Sequence, residues 1–109
     1  MAQKLNPQQI QAQQAWQTLT LSNGTGTAQY FKDSLGIVHL QGTINVSGTS
    51  VALFTLPSGY RPALAHEMPV TSAGGYGQVL IATNGVLTKR VGGNGNLDIS
   101  VLTFRADGS

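Results

Sequence analysis

The chain has 109 residues, 40% of them hydrophobic and 9% charged, with 14 glycines, no cysteine and a formal net charge of +2. That length suits one domain with one modest core, and the apolar fraction excludes a disordered chain. Disulfides and thiolate metal sites are excluded, and so is the clustered positive charge a nucleic-acid partner needs, because only Lys89 and Arg90 are adjacent cations.

A charged content far below the roughly 25% of ordinary soluble domains leaves Thr, Ser, Asn, Gln and Gly to solvate the surface. Such a surface suits a protein that touches sugars or packs against copies of itself. No apolar run approaches the roughly 20 residues of a membrane-spanning helix, so no membrane insertion is expected. The start, MAQKLNPQQIQ, carries no apolar stretch after its charge and does not read as a secretory signal.

Residues 1–15 read as a helical neck or leader ahead of a domain over 16–109. Asn6 can cap a helix whose first position is Pro7, which predicts a short helix over 7–15. Ile10 is its one large apolar residue, so it needs a partner to be stable in water.

From Trp16 onward the chain reads as strand and turn. Expected strands are 16–22, 27–32, 37–46, 50–56, 67–72, 77–83, 86–91 and 97–105. The clearest is 37–46, where Val38, Leu40, Gly42, Ile44 and Val46 alternate with His39, Gln41, Thr43 and Asn45, placing the first set on a core face. Asn84-Gly85, between VLIAT and VLTKRV, signals a two-residue hairpin loop. That loop would pair Ala82 with Leu87, Leu80 with Lys89 and Val79 with Arg90. Both faces of the hairpin are then partly apolar, which asks for a subunit contact. In the last strand Leu97, Ile99 and Val101 share a face and Leu102 and Phe104 take the other. A bulge near Val101, or burial on both sides, would accommodate both sets. LPSGYRPALA reads as a crossover, and SAGGYG and GGNGN as flexible tracts. Eight short antiparallel strands predict an all-β fold, an antiparallel β-sandwich or jelly-roll-like head.

Catalytic apparatus is not evident. There is no nucleophile elbow and no P-loop, and the Gly-rich tracts precede strands rather than helices. His39 and His66 have no second ligand at metal spacing, so no metal or cofactor is expected. His39 reads as a solvated or cross-strand side chain. A glycosidase needs two carboxylates about 5–10 Å apart, and of Asp33, Glu67, Asp98 and Asp107 only Glu67 and Asp98 could form such a pair. Binding uses the available residues better than hydrolysis does. Sugar recognition needs an aromatic platform with planar polar groups beside it. Trp16, Tyr30, Tyr60 and Tyr76 can supply the ring; His66, Glu67, Lys89 and Arg90 can supply the polar contacts. Trp16 is expected to seal a helix–sheet junction and Tyr60 to brace the crossover. Tyr76, in a Gly-rich loop with little structural reason for an aromatic, is the leading platform.

The order WQTLTLSNG, QYFKDSLGIVHLQGTI, FTLPSGYRP, VLIATNGVL and LDISVLTFRAD resembles the C-terminal head domains of receptor-binding and tail-fibre proteins from phages and prophages of Gram-positive hosts. The resemblance spans residues 16–107. It implies a homotrimeric head at the tip of a tail fibre or baseplate, carried on the virion, that attaches it to host cell-wall saccharide or teichoic acid. The N-terminal region would then join other tail or baseplate proteins. A structural tail domain with no ligand of its own is the alternative.

Overall fold

The computed structural model describes residues 15–108. Within them the chain forms nine strands: β1 (Gln17–Thr18), β2 (Thr25–Lys32), β3 (Ile37–Val46), β4 (Val51–Thr55), β5 (His66–Ser72), β6 (Gly75–Ile81), β7 (Val86–Val91), β8 (Gly95–Asp98) and β9 (Thr103–Arg105). No helix occurs among the described residues; the helix expected over 7–15 lies, apart from Ala15, outside them.

All pairings are antiparallel, in the order β1-β2-β3-β8-β5-β6-β7-β4, with β9 on the same edge of β3 as β8. The sheet curls strongly into a half-barrel. Its ends are drawn together where Ser22 N donates to Leu53 O at 2.7 Å and Asn23 Nδ2 donates to Ala52 O at 2.7 Å. Curling lets a single sheet bury an inner face on itself. That face carries Ala28 and Tyr30 from β2, Val38, Leu40, Ile44 and Val46 from β3, and Phe54, Val79, Ile81, Leu87 and Leu97 from the others. Each such fully buried large side chain contributes about 1.5–3 kcal/mol.

Glycine sets the curvature where strands touch most closely. Gly42 faces Ala28 across β2–β3, with φ of 132° and room for no side chain: a Cβ there would stand 2.0 Å from Thr27 O. The alternation expected along 37–46 holds, with Val38, Leu40, Ile44 and Val46 buried.

Turn chemistry corrects one expected register. The β6–β7 loop is Thr83-Asn84-Gly85, closed by Gly85 N donating to Ala82 O and Ala82 N donating to Val86 O. Gly85 has φ of 88° while Asn84 is not in the positive-φ region. A two-residue type I′ loop needs both central residues there, so this is instead a type I turn followed by a left-handed glycine. The turn Asp33–Gly36 between β2 and β3 closes in the same way. Pairing therefore runs Ile81 to Leu87, Leu80 to Thr88 and Val79 to Lys89, one residue from the expected register. The shift sets Val79, Ile81 and Leu87 on a common buried face, and that burial decides the register. The two-residue loop occurs instead in the tract expected to be flexible, at Ala73-Gly74, with φ of 51° and 80°.

Two bulges also depart from simple alternation. Leu53 is the extra residue on β4, and it and Phe54 are both fully buried. Arg90 is the extra residue on β7, between Lys89 opposite Val79 and Val91 opposite Gln78. The expected last strand is two strands separated by a turn in which Leu102 N donates to Ile99 O. The turn buries Ile99 and Leu102 and leaves Val101 69% exposed, so the change of phase is met by a break in the strand.

The crossover after β4 is pinned from several sides. Arg61 Nε donates to Leu56 O, Lys32 Nζ donates to Gly59 O, and Gly108 N donates to Arg61 O. Tyr60 meets Tyr30 edge to face at 5.0 Å, which is the bracing role expected of it. Burial first, then the neighbouring Tyr60, pushes the Tyr30 phenol above its ordinary range.

Candidate functional site

Register places Tyr76 at the end of a row that crosses five strands. Thr27 pairs with Thr43, Thr43 with Asp98, Asp98 with Thr71, and Thr71 with Tyr76. Period two sends all five side chains to the outer face, and all are exposed except the half-buried Asp98. Tyr76 is 65% exposed and stacks on no other ring. It is the second residue of β6, next to the Ala73-Gly74 turn, which holds it near that end of the sheet. Ser100 N donates to Asp98 Oδ1 at 2.9 Å, which orients that carboxylate. The described residues enclose no pocket, so the row lies open on the convex side of the curled sheet.

The other residues expected at the site are dispersed. Glu67 and Arg90 do meet: Arg90 Nη1 lies 3.4 Å from Glu67 Oε2, with both side chains about half exposed. The bulge at Arg90 re-aims its side chain in the manner bulges do. Glu67 is four residues from Thr71 along β5, so the ion pair lies ~13 Å from the Tyr76 row. His66, exposed at the start of β5, is paired with the inward Ile81 and falls on the opposite alternation from Glu67.

Lys89 is a correction. It is fully buried, and its Nζ donates to Gly93 O at 2.7 Å, an acceptor it shares with Ser72 Oγ. It anchors the Gly92–Asn94 loop from inside, with its side chain turned away from the surface. The physical reason is alternation: consecutive strand residues face opposite ways, so Lys89 and Arg90 could line one surface only if a bulge intervened between them and turned both outward. The bulge here turns Arg90 alone.

Glu67 and Asp98 do not converge. The four-residue offset along β5 separates them by ~13 Å, beyond the 5–10 Å range of paired glycosidase carboxylates.

A second cluster lies at the other end of the outer face. Trp16 meets Phe31 edge to face at 4.6 Å, and Phe31 stacks on His39 at 4.8 Å. Asp33 Oδ2 bonds His39 Nε2 at 2.8 Å. The hydrogen bond from His39 first, then the backbone N–H of Ile37, holds the Asp33 carboxyl below its usual range. His39 is thus the cross-strand partner of Phe31, and Trp16, 40% exposed, rests on Phe31. Among the described residues the His39 side chain hydrogen-bonds Asp33 alone, and that bond orients the ring on Phe31. No three His, Asp or Glu residues converge as a metal site among the described residues.

Sequence reasoning did not single out Asp98 as a binding group or Thr71 and Thr43 as its neighbours. The outward phase of Asp98 follows from Leu97 being inward, but the adjacency of β8 to β5 joins segments far apart in the chain and has no local signal. No protein-family model and no curated protein matches the chain.

Proposed function

We propose that this chain is the receptor-binding head of a phage tail fibre or baseplate, a jelly-roll-like sandwich that works as a homotrimer and attaches the virion to host cell-surface saccharide. The observation that carries the reading is Tyr76, a solvated aromatic with no ring partner at the end of a row of hydroxyl and carboxylate side chains. An aromatic face beside fixed polar groups is the chemistry that recognises a pyranose. Binding without catalysis fits the separation of Glu67 from Asp98.

The segments that carry the family resemblance form structural parts of the fold. KDSLG is the β2–β3 turn, LPSGYRP the pinned crossover, and LDISVLTFRAD carries β8 and β9, the two strands that pair in succession with β3. That supports membership in a structural class. Self-association is supported by Leu64 at 73% and Val91 at 41% exposure, and by the half-buried Leu80 and Val86 on the outer side of the β6–β7 hairpin. A three-fold closed assembly would cover such surface and present three weak sugar sites together, raising the total hold through avidity. The N-terminal region would join the head to the rest of the tail.

An outer face without a pocket among the described residues favours the second reading, a structural tail domain with no ligand. Pull-down of the chain on isolated Gram-positive envelopes, with sedimentation of the free protein, separates the two. Retention of a trimer supports the receptor-binding head. A trimer retained on no envelope supports the structural domain.

A further inference from the structure

We infer that the outer face at Tyr76 takes a neutral saccharide rather than a polyanion such as teichoic acid, with Asp98 accepting from its hydroxyls and Thr71 accepting from or donating to them. The inference rests on the receptor-binding reading above and names the ligand class of that site.

Sheet register supplies the geometry. Asp98, Thr71 and Tyr76 occupy one row on β8, β5 and β6, and neighbouring strands are ~4.8 Å apart. Asp98 therefore stands roughly 10 Å from Tyr76 with the Thr71 hydroxyl between them, on the order of two pyranose rings laid across the strands. The Asp98 carboxylate spends one lone pair on Ser100 N and keeps acceptor capacity for sugar hydroxyls.

Charge supplies the class. A fixed carboxylate in the middle of the row repels a phosphate polymer. The cations of the described residues are engaged or distant. Arg90 is paired with Glu67, and Lys89 is buried against Gly93 O. Lys32 and Arg61 donate to carbonyls of the crossover segment. Arg105 pairs with Ile37, at the opposite end of β3 from the strand-end residues facing β8. The loops at the Tyr76 end are Ser22-Asn23-Gly24, Ser47–Ser50, Ala73-Gly74 and Gly92–Asn94, all without a charged residue. They are tied together by amides: Gly48 N donates to Asn94 Oδ1 and Asn45 Nδ2 donates to Asn96 Oδ1. This end of the molecule offers hydroxyls, amides and one aromatic, which match uncharged sugars.

The test is calorimetric binding of the full chain to a panel of neutral oligosaccharides and to purified glycerol-phosphate teichoic acid, at low and high ionic strength. Expected is binding to a neutral sugar that salt leaves unchanged, weakened about tenfold or more by Tyr76→Ala and about three- to tenfold by Asp98→Asn. Asp98→Asn keeps the oxygen that caps Ser100 N, and unaltered melting and sedimentation show that either variant is folded. Tighter, salt-sensitive binding of teichoic acid would overturn the neutral class while leaving the receptor-binding reading intact. Neutral-sugar binding indifferent to both substitutions would overturn the site. Binding to no polymer would overturn the receptor-binding reading itself, and this inference with it.

Discussion

Asp33 and His39 face each other at 2.8 Å across the turn that joins β2 to β3, while the other carboxylate oxygen of Asp33 accepts from the N–H groups of Leu35 and Ile37 at 2.9 and 3.0 Å. One side chain thus closes the turn and aligns the His39 ring on Phe31.

These bonds favour the ionised carboxyl, whose folded value lies below the ordinary 3.8. A depressed carboxyl contributes stability above its unfolded value and loses it as pH falls through the folded one. Wild-type protein should therefore melt above Asp33→Asn at neutral pH, and the gap should close as pH drops below 3.8. Melting temperatures taken from pH 7 downward check this; a gap that stays constant through acid would show that the charge contributes nothing.

Ala73 sits at φ of 51° in the type I′ turn between β5 and β6, a conformation that costs most L-residues about 1–2 kcal/mol and Asn less. Ala73→Asn should stabilise the fold by about 0.5–1 kcal/mol. For a domain of this size that raises the melting temperature by roughly 2–8 °C. Thermal unfolding reads the difference directly, and a lower melting point would refute it.

Gly42 has no space for a methyl group against the Thr27 carbonyl. Gly42→Ala combines that overlap with a positive φ, so it should cost at least about 2 kcal/mol. Urea midpoints of wild type and variant measure it. Gly36→Ala is the control, because Gly36 has positive φ but nothing within 4 Å of the added carbon.

Lys89 separates packing from charge. Lys89→Met keeps the buried stem, and Ser72 Oγ remains as a donor to Gly93 O, so stability should change by no more than about 1–2 kcal/mol. Lys89→Ala opens a cavity and should cost about 2–5 kcal/mol. Under the proposed receptor-binding function, saccharide affinity should be the same in Lys89→Met as in wild type. A loss of binding with stability preserved would return Lys89 to the site.

What could be read from residues alone was whatever alternation and turn chemistry state locally. The bounds of β3 and β7, the inward set Val38, Leu40, Ile44 and Val46, and the change of phase near Val101 all follow from neighbours within a few positions. Alternation also held an unused signal, since adjacent Lys89 and Arg90 cannot share a strand face without a bulge to realign them.

Only the folded sheet decided the rest. Asn-Gly permits more than one hairpin loop, and the burial of Val79, Ile81 and Leu87 on one face chose the three-residue form. The row from Thr43 through Asp98 and Thr71 to Tyr76 depends on β8 lying between β3 and β5. That adjacency comes from the curl of the whole sheet around one core, a long-range pairing that no short stretch of sequence encodes.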